Sequence, residues 1–109
     1  MNGYIKLICR KSDKSIHREK MNFLLNTFSV NPDCISESVY YKDERFIVLE
    51  AEFSLDVYEK DIISSAIGKL FGKVNVTDES DSAEFNVYTN TEDIASGEVF
   101  FYMYIKKKK

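Results

Sequence analysis

Few residues in this chain are of types that do covalent chemistry, and their spacing limits what they can do. There is one histidine, His17, and there are two cysteines, Cys9 and Cys34. The run His17-Arg18-Glu19, followed by Pro32-Asp33-Cys34, has the outline of a site for zinc-activated hydroxide. That chemistry needs H-x-E, for a ligand and a proton shuttle, and then P-C-x-x-C for two thiolate ligands. Here Cys34 stands alone and Cys9 lies upstream, so the ligand set is incomplete. A single histidine also excludes cleavage by a pair of imidazoles. Pro32-Asp33 with Glu50-Ala51-Glu52 follows the metal-dependent nuclease pattern P-D then (D/E)-x-K, but Glu52 stands where the lysine is needed. Glu50 and Glu52 share one strand face, an arrangement that is usually solvated.

Other catalytic patterns fail in the same way. Gly68-Lys69-Leu70-Phe71-Gly72-Lys73 has the glycines and lysines of a phosphate loop, but it falls at a helix end, where the dipole repels anions. There is no G-x-S-x-G and no Cys–His pair. The expectation is a protein that is not an enzyme, with no metal and no cofactor. Cys9 and Cys34 are expected as free, partly buried thiols.

The elements that would carry a surface are clearer. Residues 4–10 alternate, with Ile5, Leu7 and Cys9 on one side and Tyr4, Lys6, Ile8 and Arg10 on the other, which predicts a half-buried strand. Met21, Leu24, Leu25 and Phe28 are spaced for a helix, with Ile16 placed on the same stripe. Ser12, Asp13 or Ser15 could cap it, and Pro32 marks the end of the segment. Residues 36–41 and 46–53 read as a hairpin around Lys42–Arg45. A second helix follows, with Asp56 and Glu59 as a capping box, a buried stripe of Ile63, Ala66, Ile67 and Leu70, and Gly72 as its stop. The remainder reads as strands 73–77 and 83–89, a loop 90–97 with room for a helical turn at Glu92–Ala95, and a last strand up to Ile105. The expected fold is α+β: an antiparallel sheet with two helices on one face, ferredoxin-like βαββαβ with extra C-terminal strands. Residues 1–105 form one domain and 106–109 a basic tail. No run approaches a membrane span and no signal peptide is read, so the expected compartment is the cytoplasm.

The last strand, Val99 to Ile105, runs without a charge into four lysines, Lys106–Lys109. Period two puts Val99, Phe101, Met103 and Ile105 toward the helices. The opposite face then carries Tyr4, Ile8, Phe46, Val48, Tyr88, Phe100, Tyr102 and Tyr104. So aromatic a face on one side of a sheet marks a contact with a partner, a second copy or the chain's own loops.

Charge sharpens this expectation. The net charge is −3, and without the lysine tail it is −7. Residues 1–20 carry +4, whereas residues 73–105 carry −6 from Asp78, Glu79, Asp81, Glu84, Glu92, Asp93 and Glu98 against Lys73. An acidic body opposes phosphate, and the central strand lacks the Gly-rich consensus of RNA-recognition modules, so nucleic acid is not an expected partner. The reading that fits best is a small cytoplasmic inhibitor or immunity-type protein that neutralises a basic partner such as a toxin nuclease. Its expected contact residues are Asp78, Glu79, Asp81, Tyr88, Glu92, Asp93, Glu98, Phe100, Tyr102 and Tyr104. The alternative is a sheet-to-sheet homodimer that binds a small ligand or acts as a cofactor-free enzyme, with His17, Tyr58 or Tyr88 moving protons.

Overall fold

The computed structural model describes residues 1–87 and 100–107. Strands β1 (Asn2–Arg10), β2 (Ser36–Val39), β3 (Phe46–Ser54), β4 (Asn75–Asp78), β5 (Ser82–Val87) and β6 (Phe100–Lys106) alternate with helices α1 (Lys14–Thr27, between β1 and β2) and α2 (Lys60–Phe71, between β3 and β4). The six strands form one antiparallel sheet in the order β2-β3-β1-β6-β5-β4. Both helices pack on one face of it. Ile5, Leu7, Cys9, Leu49, Phe101, Met103 and Ile105 meet Met21, Leu24 and Leu25 of α1 and Ile63, Ala66 and Ile67 of α2 in a single core.

The α+β class and the two-helix layer agree with the sequence reading; the specific ferredoxin-like order, with its extra strands at the C-terminal end, is not confirmed. In a split βαβ arrangement the first strand after α2 would lie beside β1. Here β6 lies there, and β4 forms the far edge. The reason is burial. Phe101, Met103 and Ile105 are fully enclosed on the helix side, and so apolar a strand belongs inside a sheet. The residues of β4, Asn-Val-Thr-Asp, are mostly exposed, as suits a short polar edge.

Three local expectations are corrected. Ile16 is 57% exposed because seven residues make almost two helical turns, so it lies in line with Phe23 rather than with Met21 and Leu24. Helix α2 starts at Lys60, with Glu59 at its N-cap and no side-chain cap. The expected box at Asp56 does not form, because the extended pairing continues past β3: Leu55 N–H donates to the Met1 carbonyl at 2.8 Å, and the Met1 amino group donates to the Leu55 carbonyl at 2.9 Å. Helix α1 ends at Thr27, within a residue of the expected Phe28, but Pro32 is not what stops it. There Ser29 N–H donates to the Asn26 carbonyl and Val30 N–H to that of Leu25, at 3.0 and 2.8 Å. This is a Schellman closure, with Ser29 at φ +59° in the position that usually takes glycine.

Gly3 shows the opposite economy. It pairs with Phe53 across β1 and β3, and a Cβ on it would come within 2.4 Å of the Phe53 ring. That ring in turn stacks on Phe28, with centroids 6.5 Å apart.

Two stability measurements follow from these backbone positions. Ser29→Gly removes the left-handed penalty and should raise the unfolding free energy by about 0.5–1 kcal/mol in denaturant titration. Gly3→Ala should lower it by about 1–3 kcal/mol, since Phe53 must leave its stack.

Candidate functional site: the open sheet face

The face opposite the helices divides into rows, because each strand's register fixes its lateral neighbours. At one end Ser38, Val48, Ile8 and Phe100 lie side by side. Ile8, Phe46 and Val48 are buried there, packed with Tyr40 and Phe100 into a second, small cluster. Tyr40, held by its N–H to the Phe46 carbonyl at 3.1 Å, sets its ring edge-on to Phe46 at 6.4 Å. The Arg10 guanidinium stands 5.6 Å above the same ring. The expected exposed patch is therefore smaller than the sequence reading drew it: Ile8, Phe46 and Val48 are spent inside the chain.

The middle row runs Ser36, Glu50, Lys6, Tyr102, Asn86, Asn75. The next runs Glu52, Tyr4, Tyr104, Glu84, Thr77, two phenols flanked by two carboxylates. Hydrogen bonds tie the two rows together diagonally. Tyr4 OH donates to Glu50 Oε2 at 2.5 Å, and Tyr102 OH donates to Glu84 Oε1 at 3.2 Å. The Tyr4 and Tyr102 rings meet edge to face at 6.4 Å. None of Glu50, Glu52 and Glu84 forms an ion pair with a described residue. Two shallow hollows flank Tyr4 and Glu52: one of about 500 Å³ with Phe53, Ser54, Tyr104 and Lys106, and one of about 260 Å³ with Cys34, Ser36 and Glu50.

Of the residues expected to meet a partner, Phe100, Tyr102 and Tyr104 lie on this face and are half-buried. Tyr88, Glu92, Asp93 and Glu98 lie outside the described residues, as do Val99, the loop 90–97, Lys108 and Lys109. Asp78, Glu79 and Asp81 sit at the β4–β5 turn, beside the Glu84 end of the row. Asp78 is bound there by Lys107, which also donates to the Glu79 carbonyl at 2.5 Å. The Lys107 ammonium stands 4.4 Å from the Tyr58 ring centroid, and the residue's backbone N–H donates to the Asp81 carbonyl at 2.9 Å. This lysine holds the Asp78 carboxyl below its ordinary range, so that carboxylate already has its cation. The sequence reading placed Tyr4 on the face and paired Glu50 with Glu52, but gave Glu84 no special place in the site. Its signal was the alternation with buried Ala83 and Phe85, which turns Glu84 outward.

The face is built of donors and acceptors, not of bases. Burial, then the hydrogen bond to Glu50, raises the Tyr4 phenol far above its ordinary range. Burial and then Glu84 push Tyr102 up to about 12. On the helix side, burial raises Tyr58 to about 12, followed by the nearby Asp78 carboxylate; its hydroxyl is buried without a well-aligned hydrogen bond. His17 is half-buried on α1, with burial and then Lys20 lowering its pKa. Cys9 and Cys34 are free, and burial pushes the Cys9 thiol up to about 11. His17 and Tyr58 are not gathered at the open face, and among the described residues no three His, Cys, Asp or Glu side chains converge on a metal position. Nor is any described helix long and apolar enough to cross a membrane.

Comparison with known proteins yields no match: no family model fits the chain, and no curated protein or solved structure is significantly similar to it.

The phenol shifts carry a pH consequence. A phenol whose folded pKa lies above its unfolded value of 10.0 favours the folded state below that pH, and the benefit is lost as pH rises through the folded pKa. The phenols' contribution to stability should therefore be constant up to about pH 10 and be lost above it. In a spectrophotometric titration Tyr4, Tyr58 and Tyr102 should ionise late, together with unfolding. Tyr4→Phe with Tyr102→Phe should shrink that late phase.

Proposed function

We propose that the chain is a non-catalytic protein-binding module, an inhibitor of the immunity type, whose open sheet face receives a basic protein. The observation that supports this most is the row Glu52–Tyr4–Tyr104–Glu84. Tyrosine is a strong anchor at interfaces, because it brings a large apolar ring and a hydroxyl at low entropic cost. An arginine or lysine from a partner can lie over a phenol ring while a neighbouring carboxylate takes its charge. Three carboxylates on this face form no ion pair with a described residue, so their charge is available to a visitor. Lys6 and Lys106 lie in the adjoining rows. The face is therefore striped rather than uniformly acidic, and a partner must match the stripes as well as the overall sign.

Glu79 and Asp81 extend the acidic edge past Glu84 at the β4–β5 turn. They would speed encounter with a basic surface more than they would hold it. A toxin nuclease is the partner class that suits this charge pattern best, since enzymes that grip nucleic acid carry dense basic clefts. The raised phenols suit the role too, because they stay protonated and keep donating at neutral pH.

The test is to recover a basic protein bound stoichiometrically from the native lysate and to measure its affinity against salt. Glu52→Lys and Glu84→Lys should each weaken binding by roughly tenfold to a thousandfold, and added salt should slow association. Affinity indifferent to both reversals and to salt would remove the charge argument.

A further inference from the structure

The helix layer has an outer surface that the core does not account for. Phe23 of α1 is 55% exposed and Ile62 of α2 is 52% exposed. They line one groove of about 330 Å³ together with Thr27, Ala66, Asp61 and Lys69. The helices run antiparallel, since Thr27 meets the start of α2 at this groove while the Lys20 ammonium lies 5.4 Å from the ring of Phe71 at its end.

The charges of the groove are arranged by polarity. Asp61 stands at one end, with Glu59 and Asp56 lining the adjoining hollow. Lys69 stands at the other end, two turns along the same helix. Lys20 lies over the Phe71 ring, and Lys69 is the cation that lines the groove. Neither Asp61 nor Lys69 forms an ion pair with a described residue. Asp61, Ser65 and Lys69 form one row at a spacing of four, the ridge that packs against a neighbouring helix. Ser65 is its midpoint. Reversing the row about Ser65 exchanges aspartate for lysine, so the row is complementary to itself under a two-fold rotation.

A second observation points the same way. Gly68 lies inside α2, where glycine costs about 1 kcal/mol relative to alanine. A Cβ placed there would meet nothing within 4 Å, so no contact among the described residues calls for glycine. With Ser65, it keeps this side of the helix low enough for another helix to approach.

We propose that this surface is closed by a second copy of the chain. Helix α2 packs antiparallel on its counterpart about Ser65, Asp61 of each copy meets Lys69 of the other, and Phe23 and Ile62 fill the contact. The interface is isologous and lies on the side of the molecule away from the open sheet face. The dimer thus presents two partner-binding faces, pointing outward.

Sedimentation of the intact chain over micromolar to millimolar concentration tests this. The expected result is a reversible dimer. Asp61→Lys and Lys69→Asp should each raise its dissociation constant by about tenfold or more, since each substitution sets like charges together twice per dimer. The doubly exchanged chain should recover the original constant. All these positions border solvent, and circular dichroism checks that each variant is folded. A monomer throughout the range would overturn the proposal. So would a dimer that ignores the single reversals, or one that the double exchange fails to restore.

Discussion

Strand β1 is the member on which both faces of the molecule depend. It is paired along its length with β3 on one side and β6 on the other. Side chains alternate along a strand, so two registers settle two surfaces at once. With Ile5, Leu7 and Cys9 turned to the helices, Tyr4, Lys6 and Ile8 must turn outward. A slip of one residue would put Lys6 into the core and Leu7 into solvent. The buried set is almost entirely apolar, with no buried charged residue among the described residues, so the cost of such a slip is high.

The outward face is not a uniform surface. At the Arg10 end the chain covers its own apolar residues with Tyr40 and a guanidinium. At the Tyr4 end it leaves phenols and carboxylates hydrogen-bonded to one another and open to approach. The first end needs nothing further to be stable. At the second, the hydroxyls of Tyr4 and Tyr102 are oriented by Glu50 and Glu84, and their two rings on neighbouring strands support each other. Such preorganisation lowers the entropy lost when a partner binds. The acids at the β4–β5 turn divide in the same way: Asp78 serves the fold through Lys107, and Glu79 remains exposed.

Much of this was legible in the sequence because period-two and helical patterns report burial directly. The alternation of residues 4–10 and 46–53 placed the core face of β1 and β3, and the stripe 63/66/67 placed that of α2. Strand order was not legible. It turns on which strand takes the place beside β1, and local pattern says nothing of neighbours 50 or more residues away in the chain. The helix start at Lys60 was missed because Asp56 and Glu59 have capping chemistry, while the backbone bonds between Met1 and Leu55 that hold the segment extended are long-range. Ile16 was misplaced for a geometric reason: it is close to the stripe in count but in line with Phe23 in angle. Lys106–Lys109 read as a basic tail beyond the domain, yet Lys106 lies in β6 and Lys107 clasps the β4–β5 turn. Glu84 drew little notice as one more acid in an acidic segment until the register put it beside Tyr104.

The Tyr–Glu row is proposed as the surface that receives a basic protein. The most direct test is an NMR titration of the isotope-labelled chain with a basic protein captured by it from lysate, read as chemical-shift changes residue by residue. The largest shifts are expected at Tyr4, Glu52, Glu84 and Tyr104, with Phe23 and Ile62 unmoved. Shifts confined to the helix layer, with the Tyr4–Tyr104 row unchanged, would contradict the proposal.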